Sequence, residues 1–200
     1  HPMYRRQRQM CIRDSPDGHE LCLEMPGMHG NYTATTSIQK SDLLIAIGVR
    51  FDDRVTANPS FFAQNAKVIH ADIDPAEIGK VREAQVPIVG DAKSVILGLI
   101  DALQDEELDT KNWINELNSM KTEHPLSYNQ DENGPLKVPF VLEELQDLTE
   151  EGAIVVSGVG QHQMWISQHW NFTEPNTWLN SGGLGTMGYS LPAAIGAKTA

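Results

Sequence analysis

The stretch Asp42-Leu-Leu-Ile-Ala-Ile-Gly-Val-Arg-Phe-Asp-Asp-Arg54 changes character at Gly48. Residues 43–47 are an unbroken apolar run, which is typical of a strand covered on both faces in a parallel sheet. Two charges of each sign then crowd into the next six positions, where the carboxyl end of such a strand opens into a crevice. Two interpretations stay open for this stretch alone. One is a polar ligand site, and the other is a solvated loop stabilised by its own ion pairs.

The composition limits the possible partners. The 200 residues include 15 Lys and Arg against 27 Asp and Glu, a formal net charge of −12, which argues against a nucleic-acid or anionic-membrane surface as the partner. Cys11 and Cys22 lack CxxC or zinc-ligand spacing, so they predict reduced thiols in a cytosolic protein. No apolar run approaches the roughly 18 residues of a membrane span, and no signal peptide is recognisable.

Residues 1–14 differ in composition from the rest of the chain. They carry four of the fifteen basic residues and no acidic residue before Asp14. A basic arm that binds nucleic acid is one interpretation, but the segment has neither a helical apolar stripe nor interleaved aromatic residues. We expect an unstructured leader that is foreign to the folded part.

The order helix, strand, polar turn recurs along the first half of the chain. This predicts an α/β fold with a parallel, Rossmann-like sheet, with strands at 43–47, from Lys67 onward and at 86–89, and helices at 34–40, 59–64, 75–83, 92–103 and 111–121. Right-handed crossovers make such strands parallel, so their polar ends meet. Asp72 is then placed to accept hydrogen bonds from ribose hydroxyls, whereas Asp74 suits helix capping.

A glycine-bracketed loop precedes this pattern, at Met25-Pro-Gly-Met-His-Gly30. Such a loop can lay backbone amides against a ligand, and it can equally be an ordinary turn. Both interpretations stay open at this point.

A second α/β unit begins after the Pro- and Gly-containing segment 122–137, which predicts a domain boundary. A helix at 138–149 and a strand at 153–156 lead to Gly158 and Gly160, at a strand-to-helix turn that offers free amides to phosphate. Gln161 and His162 stand at the helix start, as ligand donors or as capping and packing residues. A short strand at 177–180 then enters a glycine-rich loop.

That loop contains Gly183, Gly185 and Gly188 in GxGxxG spacing before a helical run at 189–200. A Rossmann dinucleotide site must therefore be considered. The signal is weak, because the chain ends before an acidic partner could appear and Met187 is unusual in a pyrophosphate turn.

Five motifs together resemble one family. In chain order they are Gly27-Met-His-Gly30, Gly48-Val-Arg-Phe-Asp-Asp-Arg-Val-Thr56, His70-Ala-Asp-Ile-Asp-Pro75, Gly158-Val-Gly-Gln-His-Gln-Met-Trp165 and Ser181-Gly-Gly-Leu-Gly-Thr-Met-Gly188. Together they are similar to the catalytic large subunit of acetolactate synthase (acetohydroxyacid synthase), in the thiamine diphosphate-dependent superfamily. The match runs from about Ser15 to the last residue. The resemblance implies a partial FAD-binding central domain at 15–121, a linker at 122–137 and the start of a thiamine diphosphate-binding domain at 138–200.

The resemblance also implies a role for each matching residue. It assigns to the flavin site Gly27, Met28, His29, Gly48, Val49, Arg50, Phe51, Asp52, Asp72, Ile73 and Asp91. It assigns to thiamine diphosphate Gln161, His162, Gly185, Thr186 and Met187, with Met187 as the apolar wedge under the cofactor rings. This assignment replaces the Rossmann interpretation of the glycines. Asp53 is expected to line the substrate channel with Arg54 beside it, and Ala57 stands where many members have glycine.

The family condenses pyruvate with a second 2-oxo acid, pyruvate or 2-oxobutyrate, after decarboxylation, in branched-chain amino acid biosynthesis. Thiamine diphosphate and Mg²⁺ carry that chemistry, and FAD is bound without a net redox role. The family's pyrimidine-binding domain with its catalytic glutamate, and its Gly-Asp-Gly magnesium segment, are not found in the sequence. We therefore expect an internal fragment of a cytoplasmic enzyme, inactive alone, with no catalytic residue or metal ligand of its own.

The resemblance further implies a homodimer or homotetramer in the full-length enzyme and a possible regulatory small subunit. Two other functions stay open. One is a related carboligase or decarboxylase such as glyoxylate carboligase, against which residues 50–54 and 161–165 argue. The other is a nucleotide-binding regulatory module without chemistry, against which the retained thiamine-side motif argues.

Overall fold

The computed structural model describes residues 17–199. Within them the chain forms two compact units, one at Met25–Pro125 and one that joins 17–24 to 126–199. The predicted leader at 1–14 lies outside the described residues. The division after Pro125 falls inside the segment 122–137.

The Met25–Pro125 unit alternates helices and strands. Its elements are α1 (Tyr32–Lys40), β1 (Leu43–Ile47), α2 (Asp53–Thr56), a 3₁₀ turn (Pro59–Phe61), β2 (Lys67–Asp72), β3 (Val86–Val89), α3 (Ala92–Leu103) and α4 (Lys111–Glu123). All three predicted strands and the predicted helices at 34–40, 92–103 and 111–121 are confirmed. The predicted helix at 59–64 is reduced to the 3₁₀ turn.

The predicted helix at 75–83 is wrong, because these residues form successive turns. Gly79 lies in the middle of the segment with φ +73°, a left-handed conformation that a helix cannot contain. These turns also let the Arg82 guanidinium donate to the carbonyls of Ala63 and Ala66, at 3.2 and 3.1 Å.

The three strands form a parallel sheet in the order β1-β2-β3. Ile69 of β2 pairs with both Ile45 and Val86, so the carboxyl ends of all three strands lie along one edge. The predicted parallel α/β fold is confirmed. The expectation that β1 is covered on both faces is wrong for the described residues, since Leu43 and Ile45 are 47% and 44% exposed.

The core of this unit lies under the opposite face of β1 and β2. It is formed by small and aromatic side chains that are almost completely buried, namely Ala46, Phe51, Phe62, Ala63, Ala66 and Val68. Phe51 and Phe62 meet edge to face, with ring centroids 5.9 Å apart, an arrangement that aromatic quadrupoles favour.

The second unit is built around a pair of short parallel strands. Its elements are α5 (Val138–Asp147), β4 (Val155–Val156), α6 (Gln161–His169), β5 (Trp178–Leu179) and α7 (Ser190–Thr199). Its core contains Ile166, Phe172 and Trp178, and the last two rings stack with centroids 5.4 Å apart. Asp17 exchanges two hydrogen bonds with the backbone of Phe172, at 3.0 and 2.9 Å, which attaches the segment 17–24 to this unit. No helix among the described residues is both long and apolar enough to cross a membrane.

Candidate functional site

The loop at 27–30 packs directly against the turn that follows β1. The Met28 amide donates to the Arg54 carbonyl at 2.8 Å. A Cβ on Gly27 would lie 2.4 Å from the same carbonyl oxygen, and Gly27 has φ +94°. A Cβ on Gly30 would lie 2.1 Å from the Met25 carbonyl oxygen. Both glycines are therefore required by close approach of backbone, and the structure brings the first two motifs together.

Hydrogen bonds from β2 hold the turn at 48–52 in place. The Gly48 amide donates to the Ala71 carbonyl at 2.8 Å, which continues the β1–β2 pairing by one residue. His70 Nε2 lies 2.8 Å from the Val49 carbonyl oxygen, so this nitrogen carries the proton that it donates. Phe51 has φ +53° and is 3% exposed. Its side chain lies in the core, so any ligand contact by Phe51 must be through its backbone.

The charged side chains of this turn pair with each other. Arg50 contacts Asp52 at 3.0 Å and Arg54 contacts Asp53 at 3.3 Å, and these side chains are 39–76% exposed. Asp52 also caps α2 by accepting from the Arg54 amide. The ion pairs expected for this loop are therefore present. The planar Arg50 guanidinium carries five N–H donors, and its contact with Asp52 uses one of them.

The ends of β2 and β3 add two more carboxylates at the same edge. The Asp72 carboxylate accepts from the Asp74 amide at 2.8 Å, and its carbonyl accepts from the Gly90 amide at 3.0 Å. Asp91 caps α3 by accepting from the amides of Lys93 and Ser94. Capping by Asp74 also occurs, through the Ala76 amide at 3.1 Å, although in a turn and not in a helix. Ile73, between the two aspartates, is 50% exposed.

We call the strand-to-helix turn at Gly158–Gly160 in the second unit the glycine cradle. α6 begins at Gln161 after Gly160, which has φ +148°, and no described side chain caps the helix. A Cβ on Gly158 would lie 3.1 Å from His162 Nε2, and one on Gly160 would lie 3.2 Å from the same ring. The His162 ring therefore lies against both glycines, and at Gly160 the positive φ also disfavours any other residue. Uncapped amides and the positive end of the helix dipole favour an anion at this position.

The loop at 181–188 lies beside that cradle. Its Gly185 and Thr186 amides both donate to Ser181, to the carbonyl at 2.9 Å and to the hydroxyl at 3.0 Å. A Cβ on Gly185 would be 3.9 Å from Val159 Cγ1, so the loop is a neighbour of the glycine turn. Met187 is 83% exposed and is thus available to a ring placed against the loop.

Sequence reasoning missed three polar side chains that hold these motifs. His70 and Asn180 are completely buried, and Gln163 donates to Asn180 at 2.9 Å. The only sequence signals were a histidine inside an apolar strand and an amide directly before Ser181. Neither signal distinguishes these residues from ordinary core and turn residues.

Two pKa shifts stand out among the described residues, and both belong to exposed pairs away from these motifs. Hydrogen bonding to Glu143 raises the pKa of Tyr128 to about 12. Hydrogen bonding to Glu116 raises the pKa of Lys40 and links α1 to α4 at 2.7 Å. Among residues 17–199, no group of three His, Cys, Asp or Glu side chains is arranged to hold a metal ion.

Comparison with protein families gives two matches. Residues 9–99 match the thiamine pyrophosphate enzyme central domain, and residues 158–200 match the thiamine pyrophosphate enzyme C-terminal TPP binding domain. The chain belongs to the thiamine pyrophosphate enzymes. The second match covers both the glycine cradle and the 181–188 loop, while the first begins at residue 9, inside the segment 1–14.

Several relatives within this family are acetolactate synthases. The chain is 53% identical to the acetolactate synthase of Mycobacterium leprae over 189 residues, which is 92% of this chain and 30% of the relative. It is 50% identical to the acetolactate synthase large subunit of Corynebacterium glutamicum over 192 residues, 94% of this chain and 31% of the relative. It is 46% identical to the chloroplastic enzyme of Arabidopsis thaliana over 195 residues, 96% of this chain and 29% of the relative.

These relatives confirm the resemblance read from the five motifs. The chain spans about 30% of the length of the curated relatives that it matches.

Proposed function

We propose that this chain supplies residues that anchor the diphosphate of thiamine diphosphate, and residues that contact the flavin, in an acetolactate synthase large subunit. The observation that carries the proposal is the uncapped glycine cradle at Gly158–Gly160 with the 181–188 loop beside it, within residues that match the TPP-binding domain. The reaction is the condensation of pyruvate with pyruvate or 2-oxobutyrate after decarboxylation, in isoleucine and valine biosynthesis.

The residues present fit the diphosphate of thiamine diphosphate. The start of α6 offers amides to an anion, Gln161 and His162 add exposed side-chain donors, and Met187 offers an exposed apolar surface. The bound cofactor, with Mg²⁺, supplies the electron sink for decarboxylation of a 2-oxo acid. The part of this chain is to anchor and orient it.

The flavin side is proposed along the edge where the three parallel strands end. The Gly27–Gly30 loop and the 48–52 turn are held together by the Met28–Arg54 bond, and Asp72, Ile73 and Asp91 follow the next two strands. This arrangement brings the two loops, a half-exposed guanidinium and carboxylates to the edge where open α/β sheets bind their ligands. Asp53 and Arg54, which are more exposed than the Arg50–Asp52 pair, are proposed to line the substrate channel.

The proposed partners are small 2-oxo acids, further copies of the large subunit in a homodimer or homotetramer, and a regulatory small subunit. The proposed location is the cytoplasm. Glyoxylate carboligase and a regulatory module without chemistry are not favoured, because the relatives from all three organisms are acetolactate synthases.

The test uses a chimeric enzyme in which residues 15–200 of this chain replace the matching segment of the Corynebacterium glutamicum large subunit. Gln161→Ala and His162→Ala are made singly. Each removes a donor to an anion, which costs roughly 1.5–3 kcal/mol and lowers thiamine diphosphate affinity about 10- to 100-fold. Turnover at saturating cofactor should fall much less, because the diphosphate does not change charge in the reaction.

A melting curve of each variant separates anchoring from packing. A capping or packing role predicts a lower melting temperature at unchanged cofactor affinity. His124→Ala is the matched control, because the His124 ring packs at a tilt against Tyr32 with centroids 3.9 Å apart and belongs to the other unit. Unchanged thiamine diphosphate affinity in both Gln161 and His162 variants would remove these residues from the site.

A further inference from the structure

The 181–188 loop has an exposed tip and a buried root. Leu184 and Met187 are 67% and 83% exposed, whereas Asn180 and Ser181 are 0% and 7% exposed. Burial of the tip therefore does not fix its position. The tip is positioned through the bonds that Gly185 and Thr186 make to Ser181, and hence through whatever holds the root.

The root is joined to α6 by a side-chain bridge. Gln163 Nε2 donates to Asn180 Oδ1 at 2.9 Å. Gln163 follows Gln161 and His162 in the first turn of α6, and Asn180 directly precedes Ser181. A path of hydrogen bonds and covalent backbone thus runs from the start of α6, through the Gln163–Asn180 bond and Ser181, to the amides of Gly185 and Thr186.

Asn180 makes this bridge at a cost to stability. Its Nδ2 group is buried and has no hydrogen-bond partner among the described residues. A buried donor left without a partner destabilises the folded state, because it has lost its hydrogen bonds to water. An apolar side chain of similar size would avoid that cost, so the benefit of Asn180 lies in the contact that its Oδ1 makes with Gln163.

We propose that Gln163 and Asn180 are positioning residues that couple the helix start, Gln161 and His162, to the Gly185–Met187 segment, so that both contact one thiamine diphosphate in a fixed relative geometry. This inference rests on the proposed function. Neither side chain is required to touch the cofactor. Their effect is to remove the conformational freedom of an exposed loop before the cofactor arrives, which would otherwise weaken binding.

The experiment is a double-mutant cycle on thiamine diphosphate affinity in the chimeric enzyme. Gln163→Leu, Asn180→Leu and the double variant are titrated with thiamine diphosphate and Mg²⁺ by calorimetry, and each is also melted without cofactor. We expect each single variant to bind roughly 10-fold more weakly, and the double variant to bind no more weakly than the worse single one, because residues that act only as a pair are not additive.

A matched amide control separates positioning from general stability. Gln146 exchanges two hydrogen bonds with the Asn171 backbone, at 2.8 and 2.9 Å, at the far end of α6 from the cradle. Gln146→Leu should lower the melting temperature and leave the affinity unchanged. Asn180→Leu should weaken thiamine diphosphate binding without lowering the melting temperature, since it also removes the buried unpaired donor.

The possible failures are distinguishable. If the unsubstituted chimera, folded by its melting curve, does not bind thiamine diphosphate, the proposed function fails and the bridge with it. If the unsubstituted chimera binds but the Leu variants bind equally well, the proposed function stands and the positioning role is overturned. Strictly additive losses in the cycle would also overturn it, because they would mean that Gln163 and Asn180 act separately.

Discussion

At the residue scale, His70 determines the shape of the turn after β1. It is completely buried, donates to the Val49 carbonyl and meets the Phe51 ring edge to face at 5.0 Å. His70→Leu leaves the part-buried Val49 carbonyl without its donor, which costs about 1–3 kcal/mol, and frees the 48–52 turn. We expect a lower melting temperature and weaker FAD binding in the chimeric enzyme, measured by flavin fluorescence well below the melting temperature.

His70→Gln is the rescue variant, because the Gln Nε2 reaches about as far as the His Nε2 and is also a donor. It should recover most of the flavin affinity. If Leu and Gln at this position bind flavin equally, the bond to Val49 has no part in shaping the site.

Gly27 and Gly98 give opposite predictions for the same substitution. Gly27→Ala combines a left-handed conformation with a Cβ 2.4 Å from the Arg54 carbonyl oxygen, so it should destabilise by about 2–4 kcal/mol. Gly98→Ala lies in α3 with nothing within 4 Å of the added Cβ, and it should stabilise by about 1 kcal/mol. Denaturant unfolding of both variants measures the contrast, and a tolerated Gly27→Ala would mean that the loop does not pack on the turn.

The sequence predicted the glycine loops but not their supports. Gly27 and Gly160 could be recognised because a backbone conformation that disfavours other residues is reflected directly in the residue type. His70 and Asn180 could not, because their roles depend on which strands are neighbours and on the register between them. That information is not local in the chain.

At the element scale, one residue at the start of α3 has both a structural and a proposed binding role. Asp91 caps the helix and is also a proposed flavin contact. Asp91→Ala should cost about 1 kcal/mol of stability through loss of the cap, whereas Asp91→Asn keeps the cap at almost no cost. We expect Asp91→Asn to weaken FAD binding at unchanged stability, since a carboxylate accepts more strongly than an amide oxygen.

Parallel flavin titrations and melting curves of both Asp91 variants in the chimera test this. If Asp91→Asn leaves flavin affinity unchanged, Asp91 is a helix cap only.

Elements were predicted well where the apolar period and a start signal agreed. For α3, the predicted bounds 92–103 match the observed helix, because an Asp cap and a regular apolar pattern coincide. The segment 75–83 has a comparable start at Asp74–Pro75, but Gly79 and the Arg82 contacts stabilise turns instead. Tertiary hydrogen bonds of this kind override a local start signal.

At the scale of the whole molecule, the sequence indicated the direction of the strands better than the burial of their faces. The parallel pairing of β1 with β2 follows from strand–helix alternation and the handedness of crossovers, whereas the connection from β2 to β3 consists of turns in place of the predicted helix. The exposure of Leu43 and Ile45 does not follow, because an unbroken apolar run cannot tell whether both faces of a strand are covered.

The exposed face of α3 carries the last prediction. It presents a row of aliphatic side chains that are 42–60% exposed, namely Ile96, Leu97, Ile100 and Leu103. A contiguous apolar face of this kind promotes association. The 200-residue chain alone should therefore bind a hydrophobic dye and scatter light as its concentration rises, and Leu97→Lys with Ile100→Lys should reduce both signals without lowering the melting temperature.

The direction of the charge change makes this test stringent. Two added lysines bring the net charge of −12 closer to zero, which by itself favours association. The control Asn115→Lys with Asn118→Lys adds the same two charges to exposed polar positions of α4 and should leave scattering unchanged or slightly higher. A gain in solubility from the α3 pair alone can then come only from the lost apolar surface. If the α3 pair instead lowers the melting temperature, Leu97 and Ile100 are packed inward in solution and the exposed face does not exist.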